Sequence, residues 1–142
     1  MRLELSKKTD LAIKALVCLS AFDDSQPVAG KNLAASIGTS THLLPQVMSP
    51  LVRATWVRSV PGPGGGYSIQ LSVDDISVLD VINAIEGPIE QKQCVLRGVP
   101  CPAEEQCVLH YPWNRARDAM LAELDATPLT EVMEPCSTRE GG

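Results

Sequence analysis

Long apolar runs are missing from this sequence: nowhere do about 18 apolar residues follow one another, so a membrane-spanning helix and a membrane partner are not expected. Histidine is scarce, with two residues, and there is neither a Ser-His-Asp order nor a carboxylate pair in a cleft-like setting, which argues against an enzyme. A glycine-rich stretch exists, but no P-loop Lys with Ser or Thr follows it and its flanks read as two strands, so a nucleotide cradle is excluded. Internal repeats and low-complexity tracts are absent. The first eight residues carry charge without an apolar core, and the expected location is the cytoplasm. What remains is a chain of 142 residues, 44% hydrophobic and 20% charged, expected to bury one core as a single compact domain.

The net charge of -5 taken alone speaks against a nucleic-acid partner, but its distribution does not. Residues 1–70 hold seven Lys or Arg against four acids, or +3, whereas residues 71–142 hold five against thirteen, or -8. A basic front on an acidic body suits a protein that offers one face to a polyanion.

Along the chain, Ser6 is a plausible cap for a first helix over 7–22, where Leu11, Ala12, Ala15, Leu16 and Leu19 recur at helical spacing. A turn over 23–27 leads to a short helix, Gly30 to Ile37, stopped by Gly38. Thr39, Ser40 and Thr41 then offer caps for a third helix expected to begin at Thr41 or His42. Its two apolar rows are Leu43, Val47, Leu51 and Leu44, Met48, Val52, and Pro50 is expected to kink it or to force a fresh start capped by Ser49. Alternating residues 56–60 and 67–71 flank the glycine-rich stretch and read as a hairpin. A short helix, a tight turn, a polar-tipped helix and a hairpin form the order of a winged helix-turn-helix. Ser77 caps a fourth helix, Val78 to Glu86, and a long helical pattern runs from Glu104 with a bend expected at Pro112. A final short helix is expected to start at Thr127-Pro128.

The fold class is therefore mainly α with a small β-hairpin wing and a long C-terminal dimerisation helix. The stripe Leu109, Trp113, Ala116, Met120 and Leu124 has nothing left in the chain to cover it, so a homodimer is expected. The layout is 1–87 for the winged-helix DNA-binding region, 88–111 for a cysteine-bearing loop, 112–135 for the dimerisation and last helices, and 136–142 for a tail.

Double-stranded DNA is the expected partner. Ser40, Thr41, His42 and Gln46 place hydrogen-bonding groups at the amino end of the third helix, with capping the alternative role for the first two, and Gln46 suited to adenine. Arg58 on the wing strand, with Lys7, Lys31 and Arg53, would meet phosphates, while Gly64 and Gly65 let the wing tip approach a groove.

Five cysteines is an odd number, and metal ligation or packing is favoured over a disulfide framework. Cys94, Cys101 and Cys107 follow one another with gaps of six and five residues, and His110 comes after two more. Structural zinc sites use closer pairs, so this spacing favours an iron–sulfur cluster while leaving zinc or plain thiol chemistry as the alternative. A small electron-transfer protein is the alternative from another class, and it would require redox motifs that are not present. Cys18 reads as a core residue and Cys136 as idle.

The motifs Thr9-Asp10-Leu11-Ala12-Ile13-Lys14-Ala15-Leu16 and Gly62-Pro63-Gly64-Gly65-Gly66-Tyr67, with the three ordered cysteines, make the chain similar to the IscR/NsrR-like family of iron–sulfur winged-helix regulators. The resemblance runs from Leu5 to about Met133. It implies a homodimer with crossed C-terminal helices, a cluster on Cys94, Cys101 and Cys107 near the dimer interface, and repression of transcription in answer to cluster status, redox or nitric oxide. Cluster-assembly machinery joins nitric oxide as a candidate partner. His110 occupies the IscR-like position for a fourth ligand, and Asp10 matches the aspartate that NsrR-like members lend from the partner subunit. Both a 2Fe–2S and a 4Fe–4S form stay open, with His110 and the 2Fe–2S form favoured. Pro61 and Pro45 stand where the family commonly has a basic residue and a glutamate, so the family's operator sequences do not transfer to this chain.

Overall fold

The computed structural model describes residues 4–22, 26–88, 94–102 and 104–132. It contains α1 (Lys7–Ser20), α2 (Gly30–Ile37), α3 (Leu44–Arg53), an antiparallel hairpin β1 (Val57–Val60) and β2 (Gly66–Ile69), α4 (Val78–Glu86) and α5 (His110–Asp125), with 3-10 turns at Val73–Asp75 and Leu129–Val132. No helix among these residues is long and apolar enough to cross a membrane.

Helix α1 runs through the core. Its Ala12, Ala15 and Leu16 are fully buried, and it packs against α2, α3 and α4. The Ser6 hydroxyl accepts from the Thr9 amide and so supplies the expected cap. Ser77 and Asp80 form a reciprocal capping box at the start of α4. Gly38 ends α2 at φ +80°, the left-handed conformation in which glycine has no Cβ penalty.

Proline placement corrects the other helix boundaries. Helix α3 begins at Leu44, because 41–43 form a turn in which the Ser40 hydroxyl accepts from the Leu43 amide at 3.1 Å. Pro45 then falls in the first turn, where no intrahelical donor is lost. Of the two outcomes open at Pro50, the restart at Ser49, which the continuing apolar rows disfavoured, does not occur, and α3 runs as one helix through a buried Pro50. The only helical acceptor this deprives is the Gln46 carbonyl, and Gln46 is exposed to water. Helix α5 likewise begins at His110, not Glu104, so Pro112 lies in its first turn and no bend is needed.

Two connections had no signature in the sequence. Val28, just after the segment read as a turn, exchanges both backbone hydrogen bonds with Tyr67 at 2.8 and 2.9 Å and adds a one-residue third strand to the wing. At the far end, the Leu129 amide donates to Ile76 and the Val78 amide to Thr127, both at 2.9 Å, which seats a fully buried Leu129 in the core. Leu129→Ala should therefore lower unfolding stability by about 2–5 kcal/mol, read from the urea midpoint. A loss near zero would show that the C-terminal segment is not part of the core.

Candidate metal centre and nucleic-acid interface

The loop carrying the first cysteine is closed by two backbone bonds, Cys94 amide to Val99 carbonyl and Gly98 amide to Cys94 carbonyl, each 2.9 Å. Gly98 at φ +69° makes the tight reversal possible. Arg97 reaches the Glu105 carbonyl at 3.4 Å and ties this loop to the next segment. Cys107 lies just ahead of α5, with its carbonyl accepting from the His110 amide at 3.0 Å.

These elements bring the sulfurs of Cys94, Cys101 and Cys107 within 4.8 Å of one another, all half-buried and free as thiols. The Cys94 and Cys107 sulfurs are 3.4 Å apart. Backbone donation from Leu96, helped by Arg97 and by the two neighbouring thiols, outweighs desolvation and brings Cys94 down to about 7. At Cys101 the Cys107 backbone pulls downward, but the adjacent sulfurs of Cys94 and Cys107 and desolvation outweigh it, and its thiol lies above the ordinary range. The three converging sulfurs form a soft donor set that fits a thiophilic metal ion or an iron–sulfur group. In the reduced, metal-free chain, iodoacetamide should label Cys94 ahead of Cys101 at neutral pH, with the Cys94 rate rising through a midpoint near 7. Equal rates would contradict the assigned role of the backbone donors.

The two fourth-ligand candidates stand outside this trio. His110 opens α5 with its ring edge-on to Tyr111, centroids 5.1 Å apart. Asp10 on α1 accepts from Lys14 at 2.9 Å and Lys7 at 3.3 Å, and the Lys14 bond holds its carboxyl below the usual range. Cys18 is buried in the core, as its spacing implies, but it is also disulfide-bonded, where the sequence favours packing over a disulfide. Cys136 and the expected tail lie outside the described residues.

At the end expected to meet DNA, Ser40, Thr41, His42 and Gln46 are all exposed, and Ser40 acts as a cap. Arg58 is exposed on β1 opposite Ser68, Arg53 in the last turn of α3 and Lys31 in the first turn of α2. Lys7 is exposed but engaged with Asp10. Gly64 sits at φ +76°, and a Cβ at Gly65 would collide with the Val60 carbonyl. The sequence pattern misplaced one residue: Leu43, read as part of a core row, is 48% exposed beside His42. Nothing in the spacing distinguished it from the buried Val47 and Leu51.

Three core helices followed by a hairpin, with polar residues exposed at the tip of the last helix, define a winged-helix DNA-binding regulator. The chain belongs to the Rrf2 family, described as an iron-dependent transcriptional regulator, which it matches over residues 5–135. It is 30% identical over 131 residues to the HTH-type transcriptional regulator IscR of Aliivibrio salmonicida, covering 92% of this chain and 77% of that protein. Among solved structures it is similar to CymR, the global cysteine regulator of B. subtilis, with TM-score 0.74, 30% identity and coverage of 92% of this chain and 96% of that one. T. potens IscR is also similar, with TM-score 0.69, 26% identity and coverage of 92% and 85%. These relatives are transcriptional regulators and not enzymes.

Proposed function

We propose that this regulator binds DNA as a homodimer and that Cys94, Cys101 and Cys107 hold an iron–sulfur cluster that sets its fit to an operator. The observation that carries the reading is the convergence of three thiols within 4.8 Å at the foot of α5. Three soft donors of one kind suit an iron–sulfur centre or zinc, and the family's iron dependence and the likeness to IscR favour iron. The remaining position falls to His110 in a 2Fe–2S form, or to Asp10 of the partner subunit in a 4Fe–4S form.

A bound cluster would supply a chemically labile cross-link, responsive to redox change, nitric oxide or cluster supply, between the 94–99 loop and the segment that begins α5. Cys107 passes any displacement to α5, which starts three residues later. The far end of α5 is tied back where Ser77 donates to Asp125 at 3.5 Å and where 127–129 pairs with 76–78. That places the α4 start and the winged-helix core within mechanical reach of the thiols. The homodimer is supported by α5, none of whose residues is fully buried within its own chain although Leu124 packs on the core, and by Leu96, Val108 and Tyr111, exposed at 60, 87 and 61%.

Purification without oxygen, followed by iron and sulfide analysis and Mössbauer spectroscopy, tests the cluster. Gel shifts of loaded and stripped protein on its own upstream DNA then test regulation, with a repressor expected to release that DNA in one of the two states. A colourless zinc protein, or equal affinity in both states, would overturn the sensing reading.

A further inference from the structure

We infer that Cys94 and Cys107 are a disulfide-forming pair, so that the chain stripped of its cluster passes under peroxide into a third, locked state in which, of the three clustered cysteines, Cys101 remains a thiol. The inference deepens the cluster reading, because the two sulfurs that would be withdrawn belong to the same ligand set.

The geometry selects this pair. Their sulfurs lie 3.4 Å apart, and a disulfide needs about 2.05 Å, so a closure of about 1.4 Å suffices. Cys101 sits between Pro100 and Pro102, whose fixed φ angles restrict the backbone that would have to move with it. Cys94, by contrast, opens the 94–99 loop and Cys107 lies just ahead of α5, with Arg97 donating to the Glu105 carbonyl between them. All three cysteines are half-buried, which leaves a small oxidant access to them.

The chemistry balances with hydrogen peroxide as oxidant. One thiolate of the pair attacks a peroxide oxygen, the O–O bond breaks, and one water leaves with a sulfenic acid formed on that sulfur. The second thiolate attacks the sulfenic sulfur and expels a second water. Overall, two thiols and one peroxide give one disulfide and two waters.

The test uses the full chain, stripped of metal, treated with peroxide, alkylated and digested without reductant. Trypsin cuts after Arg97 and an acidic-residue protease after Glu105, so the three cysteines fall on three separate peptides. The expected map joins the Cys94 and Cys107 peptides, leaves Cys101 alkylated, and comes from material that runs as a single chain on a non-reducing gel. Cys101→Ala should keep the cross-link and Cys107→Ala should abolish it. The oxidised chain should take up no iron with sulfide until dithiothreitol is added. A map in which Cys101 shares the cross-link equally, or in which the pair ends as sulfinic acid, overturns the inference, as does iron uptake undiminished by oxidation. A chain that forms this cross-link yet never loads iron when reduced would instead sink the cluster reading and leave the disulfide standing.

Discussion

Cys101→Ala is expected to yield a folded protein that stays colourless, carries no iron after anaerobic reconstitution, and binds its operator with one affinity whether or not iron and sulfide are supplied. The sulfur removed is one of three within 4.8 Å, and two remaining thiols do not complete an iron–sulfur ligand set. The fold has little to lose from the change. Cys101 is half-exposed on a loop without regular structure and belongs to no part of the buried core, whose residues come from α1 to α4, the hairpin, Val73, Ile76 and Leu129. Circular dichroism and a thermal scan should therefore match the parent, separating lost sensing from lost structure. Loss of colour with an unaltered response of DNA binding to iron would show that the signal enters elsewhere, and retained iron would remove Cys101 from the ligand set.

The parts of this molecule that were legible in its sequence are those set by neighbours a few residues apart. Ser6 over α1, Ser77 at the start of α4 and Gly38 after α2 are local hydrogen-bond arrangements, and each stands where the pattern placed it. The helix-turn-helix and the hairpin followed from the order of such signals. Where a proline can sit harmlessly in a first turn, the pattern ran ahead of the structure, and the starts of α3 and α5 moved to Leu44 and His110. The Val28–Tyr67 and Ile76–Leu129 pairings join residues far apart in sequence through backbone atoms alone, so no side-chain period could announce them. At the site, three cysteines at irregular gaps were readable because soft thiol donors are chemically distinctive. The exposure of Leu43 was not, since an apolar residue ahead of a helix looks the same whether it faces the core or water.

Gly66→Ala should damage the wing more than Gly62→Ala. Gly66 has φ +149°, a backbone conformation that L side chains rarely adopt, and a Cβ there would collide with the Val28 carbonyl. That carbonyl accepts from the Tyr67 amide in the bridge that holds the wing to the segment before α2. Alanine must either strain the turn into β2 or push Val28 away and leave the bridge unmade, at a cost of about 2–4 kcal/mol. Gly62 provides the control: its φ of +85° also disfavours alanine, but nothing lies within 4 Å of the added Cβ, so Gly62→Ala should cost only about 1 kcal/mol. Urea unfolding of the two variants separates collision from backbone strain. Operator affinity measured beside it reports the wing, because Arg58 on β1 is paired in register with Ser68 and moves with the hairpin. Equal losses in the two variants would mean that the Val28 bridge contributes nothing, whereas a larger loss at Gly66 in both stability and affinity would make this one-residue strand the element that fixes the wing for DNA.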